Sequence, residues 1–142
     1  MQVAIVVADF NAHVTSRLLE GAQAFLTKNG VDKKNIHTAH VAGCFEIPLV
    51  AKKWAESKKV DAVVCLGCVI RGETPHFDYV CDAASRGVQE AMLATGVPMG
   101  FGVVMAETAD QALDRAGGRH GNRGEEAARA ALQSVRALKE IA

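Results

Sequence analysis

Aromatic side chains are scarce in this chain: 5% of its 142 residues, with one Trp and one Tyr. Its core must therefore come mainly from Val, Ala, Leu and Ile, within the 49% of residues that are hydrophobic. Excess charge is missing too. Sixteen Lys and Arg balance sixteen Asp and Glu, which leaves no basic footprint for nucleic acid and no polybasic patch for a membrane. A local cationic site stays open. Long apolar runs are also absent: Met1 leads into Val3–Ala8, which is too short for a membrane span or signal-peptide core, and no basic segment precedes it. Linkers, low-complexity stretches and internal repeats are not found, so the expectation is one domain over residues 1–142, a length that buries a sizeable core unaided.

The four cysteines, Cys44, Cys65, Cys68 and Cys81, sit in apolar or strand-like contexts with no export signal. They read as reduced thiols of a cytoplasmic protein. Cys65 and Cys68 are spaced like a redox pair, but such a pair normally opens a helix. On a strand, residues three apart point to opposite faces. The five histidines show no ligand spacing with the cysteines, so no metal is expected. Gly100-Phe-Gly102 is not a dinucleotide fingerprint, and Gly117–Gly124 fails the Walker pattern.

What is present is an alternation of strand-length apolar runs with helical patterns of period 3.6. Val3–Ala8, Ile36–Val41, Asp61–Ile70 and Pro98–Met105 read as strands. Between them, Val14, Leu18, Leu19, Ala22, Phe25 and Leu26 make one helical stripe that Gly30 ends. Pro48 opens a helix running past Trp54, and another covers about Asp78 to Ala94. Thr108 with Gln111, and Asn122 with Glu125, resemble capping boxes that open a short helix and a last one ending near Ile141. The expected fold class is α/β, a three-layer domain with a four-stranded parallel sheet flanked by helices. Ligands of such sheets sit beyond the carboxyl ends of the strands.

The segments beyond those ends hold the unusual residues. In Arg71-Gly-Glu-Thr-Pro-His76-Phe-Asp78, backbone amides and Thr74 are placed to face an anion. His76 suits proton transfer near neutrality, and it suits equally a histidine that satisfies turn hydrogen bonds. Gly117-Gly-Arg-His-Gly-Asn-Arg-Gly124, with Arg115 before it, reads as a flexible cationic loop feeding a helix, preferred as an anion site over a solvated turn. Phe10, Phe45 and Phe101 lie beside strand ends where a flat heterocycle could stack, although core packing is the commoner use of phenylalanine. Glu46 fits either a polar substrate or a helix cap.

These segments together resemble the lumazine synthase family. VIRGETPHFDYV (Val69–Val80) is similar to that family's signature almost residue for residue. The likeness extends to Phe10–Asn11, Leu18–Ala22, Gly43–Pro48, Phe101–Val103, Gln111–Gly117 and Gly121–Gly124, in matching order and spacing over essentially the whole chain. The resemblance implies a flavodoxin-like domain assembled into homopentamers or multiples of them, with active sites between subunits. It implies condensation of 5-amino-6-(ribitylamino)uracil with 3,4-dihydroxy-2-butanone 4-phosphate, with no cofactor, and riboflavin synthase as a possible partner.

By the same resemblance, Phe10 with Asn11 meets the pyrimidine. Cys44, Phe45 and Glu46, helped by Cys68, Val69 and Ile70, hold the ribityl chain and ring. Glu73, Thr74 and Arg115 receive the phosphate, and His76 transfers protons. Phe101 and Arg123 close the site from the adjacent subunit. Asp9 stands where an arginine is common, and Arg119 and Arg123 where lysines are frequent. Two other readings remain: a flavin- or lumazine-binding scaffold of the same fold, and an archaeal-type riboflavin synthase. A proton relay and a phosphate clamp favour the enzyme.

Overall fold

A computed structural model describes Met1–Ala142. Val3–Ala8 forms β1, and all six of its residues are buried. Successive strand residues leave on opposite faces. Here Val3, Ile5 and Val7 enter one apolar layer, and Ala4, Val6 and Ala8 enter the other. Burial on both faces is why the strand reads as a continuous apolar run rather than an alternating one. β3 (Ala62–Ile70) follows the same rule. β2 (Ile36–Val41) and β4 (Met99–Ala106) lie at the edges of a wholly parallel sheet of order β2-β1-β3-β4. The edge position lets β2 carry His37, Thr38 and His40, which weakened it as a sequence signal.

α1 (Ala12–Lys28) and α5 (Arg123–Ile141) cover one face; α2 (Ile47–Glu56) and α3 (His76–Thr95) cover the other. The three layers make a flavodoxin-like α/β fold. Val14, Leu18, Ala22 and Leu26 form the buried stripe of α1, with Leu19 and Phe25 at its margin. α5 approaches its neighbours closely. A Cβ on Gly100 of β4 would overlap the Ala127 carbonyl, and one on Gly124 would overlap the Leu18 carbonyl. Only glycine allows backbones this near. No helix is long and apolar enough to cross a membrane.

The helix starts follow the expected chemistry, with one variation. Asn122 Oδ1 accepts from the amides of Gly124 (2.8 Å) and Glu125 (3.1 Å), opening α5. Thr108 Oγ1 accepts from the Gln111 amide at 3.2 Å, opening α4 (Ala109–Asp114). The Gln111 side chain answers the amide of Glu107, one residue before the cap.

Two expectations change. α3 begins at His76 rather than near Asp78, because Pro75, with φ at −70°, leads the chain directly into the helix. The glycine-rich loop also contains a short paired ribbon that its sequence did not announce. β5 (Ala116–Gly118) pairs antiparallel with β6 (Gly121–Asn122). The His120 amide donates to the Asp114 carbonyl at 2.7 Å, and the Arg123 amide to that of Arg115 at 2.8 Å.

Candidate functional site

β1 is followed in the chain by β2 on one side and β3 is followed by β4 on the other, so the carboxyl ends of β1 and β3 mark the switch point of the sheet. A cavity of about 690 Å³ opens there. Each exit contributes to it. After β1 the backbone keeps pairing with β2, through amide bonds from Asp9 to the Val41 carbonyl (2.8 Å) and from Phe10 to that of Ala42 (3.0 Å). Asp9 also pairs with His40 at 2.7 Å. Asn11 then turns the chain into α1 in the left-handed region, at φ 63°, which asparagine tolerates better than most residues. Its Nδ2 donates to the Cys68 carbonyl at 2.9 Å, tying this exit to β3. Phe10 is left over the cavity, 72% exposed.

After β2 the chain makes a short 3₁₀ turn, Cys44–Glu46. Glu46 Oε1 accepts from the Gly43 amide at 3.0 Å, so the carboxylate caps this turn while lining the cavity. Phe45 points outward, 64% exposed. Cys44 points inward, its sulfur in the space that Gly67, lacking a side chain, leaves free. Burial pushes the Cys44 thiol up to about 12, against a backbone hydrogen bond from Cys68 that pulls the other way, and burial pushes Cys68 up to about 11. Both are protonated near neutrality and serve as cavity wall rather than nucleophiles. Cys65 and Cys68 belong to opposite apolar layers, as strand geometry requires.

Val69 and Ile70 complete the floor, and the exit of β3 brings Thr74 and His76 to the rim. The Thr74 hydroxyl oxygen accepts from the His76 amide at 3.4 Å. His76 is exposed and is the first residue of α3, where free helix-end amides favour negative charge.

Nine of the sequence-derived site residues therefore share one cavity: Phe10, Cys44, Phe45, Glu46, Cys68, Val69, Ile70, Thr74 and His76. Asn11, Glu73, Phe101, Arg115 and Arg123 do not line it. Phe101 projects from edge strand β4, 37% exposed. Arg115 Nη1 donates to the Gln111 carbonyl at 3.0 Å, and Arg123 Nη1 pairs with Glu126 at 2.6 Å. None of the fifteen lining residues is Lys or Arg.

The core reading of the phenylalanines is corrected for Phe10 and Phe45, whose rings stand at the cavity rather than inside either apolar layer. Sequence reasoning missed Phe77 and Tyr79, two further aromatics at the cavity. The first turn of a helix following a chemistry-bearing loop was the available signal for both.

The site is thus an aromatic-rimmed, thiol-floored cavity at the switch point of a flavodoxin-like sheet, with a histidine at a helix start. Residues 1–139 match the family model described as 6,7-dimethyl-8-ribityllumazine synthase. The chain belongs to that family of transferases, and its function is of the lumazine synthase type, in riboflavin biosynthesis.

Proposed function

We propose that this chain condenses 5-amino-6-(ribitylamino)uracil with 3,4-dihydroxy-2-butanone 4-phosphate to give 6,7-dimethyl-8-ribityllumazine, phosphate and water. The observation that carries the reading is His76 on the rim of the aromatic-lined cavity, in a chain that matches the family over residues 1–139. Phe10 stacks on the pyrimidine beside Asn11. Cys44, Phe45, Glu46, Cys68, Val69 and Ile70 hold the ring and ribityl chain. The substrate amine adds to the ketone and loses water to form an imine, phosphate leaves, and the second nitrogen closes the ring with loss of water. His76 moves the protons, and the rest is positioning of two reactants.

Phosphate is both anchor and leaving group, so a cation should meet it. A cavity without Lys or Arg needs that cation from elsewhere. We assign it to Arg115 of a neighbouring copy, with Glu73 and Thr74 on the near side, and Phe101 and Arg123 arriving with Arg115. The contact is head-to-tail, the type that closes into a ring when the rotation fits, here a homopentamer or a multiple of it.

Mixing both substrates and following lumazine absorbance tests the reaction. Lumazine binding without turnover would point to a scaffold instead. The shared site is tested by co-assembling His76→Ala with Arg115→Ala: each is defective alone, and mixed rings regain activity in proportion to the interfaces that pair an intact His76 with an intact Arg115. An active monomer by native mass measurement, or mixed rings with no regain, sinks the shared site.

A further inference from the structure

We propose that Arg71 is a positioning residue for His76, acting through the first turn of α3; this rests on the reading of His76 as the proton-transfer group. Arg71 follows β3 directly, and its amide still donates to the Ala106 carbonyl of β4 at 2.9 Å. Its backbone is thus fixed to the sheet. From that point the guanidinium meets three groups. Nε lies 2.9 Å from Glu107 Oε2, Nη2 lies 3.4 Å from Asp78 Oδ1, and Cζ stands 4.3 Å from the Phe77 ring centroid.

Phe77 and Asp78 are the two residues that follow His76. Arg71 therefore grips the first turn of α3 immediately beyond the histidine. That turn is poorly held by its own cap: Pro75 occupies the cap position and provides no side-chain hydrogen bond. A single exposed ion pair would contribute little energy. A planar fork that engages two carboxylates and an aromatic face instead fixes direction, which a lysine's point charge cannot do. The far end of the brace is anchored as well. The Glu107 amide donates to Gln111 Oε1 at 2.8 Å, and the Gln111 carbonyl accepts from Arg115 at 3.0 Å.

The test compares wild type, Arg71→Gln, His76→Ala and the double variant in lumazine formation. In Arg71→Gln, kcat falls about threefold to tenfold, a part of the loss expected when His76 itself is removed, while the Michaelis constant for the uracil stays near that of the wild type. In the His76→Ala background, Arg71→Gln causes no further loss, because the group it positions is gone. An additive loss makes Arg71 merely structural and overturns the proposal, as does an unchanged kcat in Arg71→Gln.

Amide hydrogen exchange gives a second measure free of the assay. The Asp78 and Tyr79 amides, both bonded to the Pro75 carbonyl, exchange faster in Arg71→Gln and in Glu107→Gln, while the rest of α3 is unchanged. Unaltered protection there overturns the brace whatever the kinetics give. An inactive wild type, or full turnover in His76→Ala, is a failure of the proposed reaction instead, recognisable because it arises with Arg71 intact.

Discussion

The exits of β1, β2 and β3 and the segment from β4 to α5 are made of different materials. The first region encloses space: its aromatics stand off the core, its thiols are buried and neutral, and no cation lines the cavity between them. The second region lines no part of that cavity. It is compressed against α5 by glycines, and its Arg115 and Arg123 are occupied by the Gln111 carbonyl and Glu126 of the same chain. In the proposed reaction the first region receives the heterocycle and the second the phosphate. A reaction that needs both within bonding distance is most simply served by bringing the second region of one copy to the first region of another.

The sharpest way to break that division is Arg115→Ala. The Michaelis constant for the sugar phosphate should rise about tenfold to a hundredfold, the effect of losing a charged hydrogen-bond partner, while that for the uracil moves little. Equal effects on both substrates would mean that the two regions do not divide the labour. On the other side of the comparison, His76→Ala should lower turnover about tenfold or more, toward the low end for a positioned acid–base group, with the assembly intact by sedimentation. Near-normal turnover at saturation would remove His76 from the chemistry.

The two regions should also respond differently to a single added methyl group. Gly124→Ala places it on the backbone carbonyl of Leu18, which cannot move aside. Stability by urea unfolding should fall by about 1–3 kcal/mol, as in overpacked cores. Gly67→Ala meets the Cys44 side chain, which can swing toward the cavity. Its cost should be smaller, with weakened uracil binding as the larger effect.

The smallest effect is that of pH on the thiols. Burial raises Cys44 and Cys65 from 9.0 to about 12 in the folded chain. The fold therefore retains protons that the unfolded chain releases above pH 9.0, so this contribution is complete below that pH and is lost as pH rises toward about 12. Urea midpoints at about pH 8 and about pH 10 should differ less in Cys44→Ala than in the wild type. An identical difference would mean that Cys44 is not held neutral by burial.

Much of the sheet was legible because a strand buried on both faces must be apolar throughout, as Val3–Ala8 and Ala62–Ile70 are. Cap residues were legible because Asn122 and Thr108 satisfy amides local to them. Phe10 and Phe45 were legible as cavity residues only through the family resemblance, since apolar character alone does not distinguish a core ring from one at a cavity rim. The strand pairing within Ala116–Asn122 escaped because a run of glycines carries no strand pattern, yet permits a tight antiparallel turn. Arg71 escaped for a different reason: its partner Glu107 is thirty-six residues away, and no local spacing signals that pairing.

Trp54 gives the molecule an optical label. It is the only tryptophan, and it stacks on His37 of edge strand β2 with ring centroids 5.5 Å apart. His37 Nε2 is in turn 2.8 Å from Gln2 Oε1, next to β1. The indole lies outside the cavity lining, so its emission reports detachment of α2 from the sheet edge rather than occupancy of the site. Loss of that signal during urea denaturation would therefore time the parting of α2 from the sheet edge separately from any change at the cavity.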